Sequence, residues 1–249
     1  GVSNMRKRRL RTSLTLTSIL LITIGVVLFT SMGAIQVVAL SKTNLTAPYT
    51  GIFVHQWEYS YAGFGERGGL GGGQSSPQVG ETLLEGLKGR YGDKFIIAPR
   101  AWAYIGQILK GWFLTTEDGS IQYKMPILAV LGLTPQETNV TMPHLSLIKG
   151  TWFTEGMDPY VTIIGTSIAD DLNLTVGDNI RLGGYDFKII GIANETVFNS
   201  IKDLDGLEYT PMDTRVPGYD ARLYLNEIVI LPYKTVLSAF KGMIVNVAM

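Results

Sequence analysis

The chain has 249 residues, 46% of them hydrophobic, and no cysteine. The missing thiol excludes disulfides, c-type haem attachment, cysteine nucleophiles and Cys-based zinc sites. Formal charge is zero but uneven. Arg6, Lys7, Arg8, Arg9 and Arg11 open the chain, and the first acidic residue is Glu58. What remains holds 16 Lys and Arg against 21 Asp and Glu, a net of −5. With no second basic run, the pattern argues against nucleic-acid binding and matches the polarity expected across a membrane.

Residues 1–13 read as a basic cytoplasmic lead-in. From Thr12 to Ser41 no residue is charged, and the apolar stretch Leu14–Leu40 would reach roughly 40 Å as a helix, against about 30 Å of hydrocarbon. Residues 14–41 are therefore expected to form a transmembrane helix with a short stalk beyond the bilayer. A cleaved signal peptide is the competing reading, with Ser31-Met32-Gly33 as its cleavage site, although this apolar run exceeds the usual 7–15 residues. Residues 43–249 are expected to be extracytoplasmic.

In that outer region Gly51–Trp57 reads as a strand, Tyr59–Gln78 (with GFGERGGLGGGQSSP) as a long loop, and Val79–Tyr91 as a helix with Leu83, Leu84 and Leu87 on one face. Lys94–Tyr104, Leu109–Thr115 and Ile121–Leu131 read as strands, and Pro135–Met142 as a turn. Tyr160–Ile164 is a strand. Gly165-Thr166-Ser167 offers a turn and a cap, and Ile168, Ala169 and Leu172 mark a short helix. A turn at Leu174–Asp178 leads into a hairpin, Asn179–Leu182 and Tyr185–Ile192, around Gly183-Gly184. Thr196–Leu204 is expected to be a helix, Arg222–Pro232 a strand, Tyr233–Lys241 a helix and Met243–Val247 a strand. Interspersed strands and short helices make the outer region α+β.

Three stretches resemble one family. MRKRRLRTSLTLTSILLITIGVVLFTS (Met5–Ser31) resembles the first transmembrane segment of FtsX-like ABC transporter permeases. IIGTSIADDLNLTVGDNIRLGGYDFKIIGIA (Ile163–Ala193) resembles the MacB-like periplasmic core domain, with its strand, short helix, "VGD" turn and hairpin. IVILPYKTVLSAF (Ile228–Phe240) resembles the strand–Pro–helix that closes that domain, and Lys149–Phe153 resembles the segment before the hairpin region. The Gly-rich loop at 63–73 and the stretch Asp203–Tyr219 depart from the pattern. The resemblance implies two α+β subdomains and a permease segment that works with a cytoplasmic ABC ATPase subunit and a second permease copy or homologue. It also implies that ATP-driven movement passes through the first helix to an outer domain acting on a substrate or partner. The rival reading is a single-pass membrane-anchored sensor or adhesion ectodomain.

Chemistry-bearing motifs are few. Gly63-Phe-Gly65-Glu-Arg-Gly68 matches G-x-G-x-x-G but opens no helix, and no P-loop Lys-Ser/Thr follows Gly69–Gly73. His55 and His144 lack the i, i+4 partner of a zinc helix, and no G-x-S-x-G elbow exists. Asp203-Leu-Asp205-Gly206 begins like a calcium loop without its later ligands and reads as an acidic turn. No catalytic, cofactor or metal residue is therefore assigned, and the chain is not expected to be an enzyme. Trp57, Tyr59, Tyr61 and Phe64 flank the Gly-rich loop and are candidates for contact with a substrate or partner. Asn44, Asn139, Asn173 and Asn194 carry N-x-Thr sequons and are candidate glycosylation acceptors.

Overall fold

The computed structural model describes residues 13, 15–24, 26, 49–55, 79–105, 112–213, 215 and 221–249. It divides into two compact units, Gly1–Lys42 and Thr43–Met249. In the first, α1 (15–24) is helical and its side chains are exposed. Thr17 and Thr23 return their hydroxyls to the carbonyls of Ser13 and Ile19, at 2.9 and 2.8 Å, the local bond that threonine makes within a helix. Among the described residues, no helix is long and apolar enough to cross a membrane. The remainder of the span expected at 14–41 lies outside them.

The second unit is a ten-stranded mixed sheet in the order β1-β10-β2-β4-β9-β6-β8-β7-β3, with β5 paired to β8. Its strands are β1 (Phe53–His55), β2 (Ala98–Tyr104), β3 (Thr115–Thr116), β4 (Ala129–Leu133) and β5 (Leu147–Gly150). They continue with β6 (Val161–Gly165), β7 (Asn179–Leu182), β8 (Tyr185–Ala193), β9 (Ile228–Pro232) and β10 (Met243–Ala248). Helices α2 (Glu81–Tyr91), α3 (Thr166–Leu172), α4 (Glu195–Asn199) and α5 (Tyr233–Ala239) connect them.

The centre of the sheet is legible in composition. AVLGL of β4, VTIIG of β6 and IVILP of β9 are nearly unbroken apolar runs, the pattern of strands covered on both faces, and β4–β9 and β6–β8 are the parallel pairs. The halves meet where β6 crosses β9 at the pair Ile163–Ile230. There the Thr162 hydroxyl adds a buried hydrogen bond to the Ile230 carbonyl, 3.1 Å. One sheet therefore runs through both halves.

Side-chain alternation splits the core by face. One cluster joins Val130, Val229 and Leu231 with Leu84 of α2, Ile168 and Leu172 of α3, and Val236 of α5. The close approach of α5 depends on Gly132, where a Cβ would lie 2.9 Å from Val236 Cγ2. The opposite cluster joins Trp102, Leu131, Ile163 and Ile230 with Trp152, Phe153, Phe198, Tyr209, Leu223 and Leu225. Helices cover the first face. The second is covered mainly by turns and irregular chain.

Several elements are shorter than the sequence suggests. Leu109–Thr115 is no strand where described: Trp112 forms only an isolated bridge to Ile127, and β3 follows at Thr115. Ile121–Leu131 reduces to β4, and Arg222–Pro232 to β9 preceded by a 3₁₀ turn at Leu225–Glu227. The helix expected at Thr196–Leu204 stops at Asn199. Beyond it the Ile201 amide bonds the Phe198 carbonyl and Lys202 turns to pair with Glu208. The hairpin at 179–192 is as read. Gly183 and Gly184 have φ of 62° and 86°, values that favour glycine. The N-cap of α3 is Gly165, within the triplet read as turn and cap; Thr166 and Ser167 begin the helix, and Glu195 accepts from the Ser167 amide and hydroxyl, both at 2.8 Å.

Candidate functional site

Arg100 sits in the middle of β2, in the apolar run IIAPRAWAY, and is fully buried. A guanidinium cannot shed its charge at physiological pH, so burial there requires carboxylates. Two converge on it. Glu137, on the 3₁₀ turn Pro135–Asn139, faces Nε of Arg100 at 2.6 Å, and Asp203 pairs with Nη1. Both carboxylates are buried, at 0% and 2% exposure. Thr141 donates to Glu137 Oε2 at 2.6 Å, Asn246 of β10 lies 3.4 Å from Arg100 Nη1, and the guanidinium stands 5.2 Å over the Tyr209 ring.

The last member is Tyr49. Its hydroxyl donates to Asp203 Oδ1, which also accepts from the Leu204 amide at 2.9 Å, and its ring packs against Ala98, Val140 and Ala248. Burial, then the neighbouring Asp203 charge, raise the Tyr49 phenol far above its ordinary range. Burial alone would lower the Arg100 pKa, but Glu137 and Asp203 outweigh it and hold it well above normal. The cluster around this cation thus joins five separated pieces of chain: the approach to β1, strand β2, the turn after β4, the segment after α4 and strand β10.

Next to this cluster, the described chain that follows the N-terminal unit joins the sheet. Ile52 and Met249 exchange backbone hydrogen bonds at 2.9 Å in each direction, and β1 pairs antiparallel with β10 from Phe53–Ala248 to His55–Asn246. The chain at 49–55 is thus tied both to β10 and, through Tyr49, to the Arg100 cluster.

Of the residues singled out in the sequence, Trp57, Tyr59, Tyr61, Phe64 and Asn44 lie outside the described residues, as does the Gly-rich loop. Asn139 and Asn173 are exposed, and Asn173 holds the left-handed end of α3. Asn194 is half-buried, its Oδ1 accepting from the Val197 amide to cap α4. The acidic turn is more than an exposed turn, because Asp203 points inward to Arg100. Asp205 stays in the turn and accepts from the Leu207 amide at 3.0 Å. The signal that reveals the cluster is Arg100 itself, a cation within an apolar strand. Among the described residues, no group of three or more His, Asp or Glu side chains is placed to hold a metal.

The family model for the MacB-like periplasmic core domain matches residues 15–245. The chain belongs to this family. As a MacB-like core domain, it is an extracytoplasmic domain of an ABC-type permease. The macrolide export ATP-binding/permease protein MacB of Chlorobium luteolum is 31% identical over 87 residues, 32% of this chain and 13% of that protein. Two solved structures overlap in part. The periplasmic region of MacB from Actinobacillus actinomycetemcomitans has 16% identity and a TM-score of 0.41, covering 67% of this chain and 62% of that one. The extracellular domain of the noncanonic ABC-type transporter YknZ from Gram-positive bacteria has 16% identity and a TM-score of 0.42, covering 69% and 73%.

Proposed function

We propose that this MacB-like chain is a permease segment that couples ATP hydrolysis on a cytoplasmic ABC ATPase subunit to movement of its outer domain, which acts on a substrate or partner outside the membrane. The observation that carries the reading is the family match, which begins at residue 15 and runs through the outer domain. The pairing of β1 with β10 supports it, because motion of the chain before residue 49 would be delivered to the sheet through hydrogen-bonded strands. On this reading the N-terminal basic residues are cytoplasmic, residues 14–41 span the bilayer, and a second permease copy or homologue completes the transporter. On this reading ATP is hydrolysed on the partner ATPase rather than here, where no P-loop motif occurs in the sequence.

A flexible Gly-Ser insertion after Ser41 tests the coupling. In the complete transporter with its ATPase, ATP hydrolysis should persist while outward activity is lost. Retained outward activity would reduce the first segment to a tether and reject the mechanical reading.

A further inference from the structure

The segment 200–213 crosses the second face of the sheet without joining it. The backbone hydrogen bonds seen for it close on itself or on nearby chain: Asp203 N to Leu207 O, Gly206 N to Asp203 O, Asp213 N to Ala221 O, and Leu223 N to Pro211 O. Its ties to the sheet run through side chains. Arg100 holds Asp203, the Tyr104 hydroxyl reaches the Met212 carbonyl at 3.0 Å, and Arg222 lies over the Trp102 ring while donating to the Thr210 carbonyl. Tyr209 inserts beneath, its ring 5.3 Å from Phe198.

This seat is imperfectly satisfied. Trp102 Nε1, the Tyr209 hydroxyl and the Thr210 hydroxyl are buried with no hydrogen-bond partner among the described residues. Each such atom opposes the closed arrangement, whereas a backbone ladder would favour it. Among these ties, the charged anchor of the segment is Asp203 in the buried cluster. Within that cluster Tyr49 is the member most easily withdrawn. It is half-buried and precedes a three-residue edge strand, while Arg100 lies inside the sheet. Short edge elements open locally at the least cost.

We propose that residues 200–213 form a strap closed over the Trp102–Phe198 face, and that Tyr49 is its releasable catch: displacing the chain at residue 49 removes a donor from Asp203 and frees the strap while the sheet stays intact. This goes beyond the transport reading and does not depend on what moves residue 49.

Hydrogen exchange on the full chain in detergent micelles tests it. Tyr49→Phe should speed exchange of the Asp203, Gly206 and Asp213 amides roughly tenfold to a hundredfold, the value of a hydrogen bond to a charged group. The β4 and β9 amides should not change. Tyr209→Phe, which removes an unpartnered hydroxyl, should slow the same strap amides. An unchanged strap in Tyr49→Phe, or an equal rise in β4 and β9, overturns the catch. Faster strap exchange in Tyr209→Phe overturns the unsatisfied seat.

Discussion

The two faces of the sheet are buried by different means. On the face covered by α2, α3 and α5, each covering element satisfies most of its own backbone within the helix and buries apolar side chains, so burial follows from pattern. On the other face, the described chain at 200–213 and 221–225 has little regular structure and depends on buried polar side chains. The first kind of cover is inseparable from the sheet. The second can come away, because its contacts are few, specific and partly uncompensated.

The strongest challenge to this contrast is Arg100→Met. It leaves Glu137 and Asp203 buried without a cation, a loss of about 3–5 kcal/mol. Adding Glu137→Gln and Asp203→Asn should recover much of it. Urea denaturation of the three proteins measures this, and a loss below about 1 kcal/mol for the single variant would mean that the cluster is a passenger. Ile168→Ala, on the helix-covered face, should cost about 2–5 kcal/mol through the cavity it opens. Its effect should differ in kind. Far-UV and near-UV signals should shift together in one transition, and exchange should rise throughout the sheet. A strap-only effect from Ile168→Ala would erase the distinction between the faces.

The smallest effect lies at the β3 turn, on the surface and away from both cores. Asp118 accepts from the Thr116 hydroxyl at 2.6 Å and from the Ser120 amide at 2.9 Å, which hold its pKa at about 2. A lowered folded pKa means that this stabilisation is full above the ordinary carboxylate value and disappears as pH falls through about 2. Thr116→Ala should move the NMR titration midpoint of Asp118 toward 3.8. No movement would mean that the hydroxyl contributes nothing to the turn.

How much was legible follows the same division. The hairpin around Gly183-Gly184, the helix at Ile168–Leu172 and the strand–Pro–helix at 228–239 are written in short-range terms: a turn dipeptide, a helical face, an apolar run. They appear nearly at the expected residues. Thr196–Leu204 also reads as helical, yet Asp203 is drawn away to Arg100, 103 residues distant, and the helix ends at Asn199. The turn and cap at Gly165-Thr166-Ser167 are where the sequence places them, but the acceptor that completes the first turn of α3, Glu195, lies 28 residues along the chain. Local pattern cannot report such partners. What was visible but unread was the cost of Arg100 in an apolar strand, which by itself predicts buried carboxylates without saying which.

The order of strands in space has a consequence for how the domain is made. β9 and β10 come last in the chain, yet β9 joins β4 to β6 and β10 joins β1 to β2. Until residue 228 has been synthesised, no strand pairing joins the halves of the sheet, and β4 and β6 both present open edges. Closure thus waits on strands far along the chain and depends on contacts distant in sequence, the condition under which folding is slow and unpaired edges invite aggregation. Until β9 and β10 emerge, the nascent sheet is therefore three unjoined groups of strands, β1, β2-β4 and β6-β8-β7-β3, whose edges need protection.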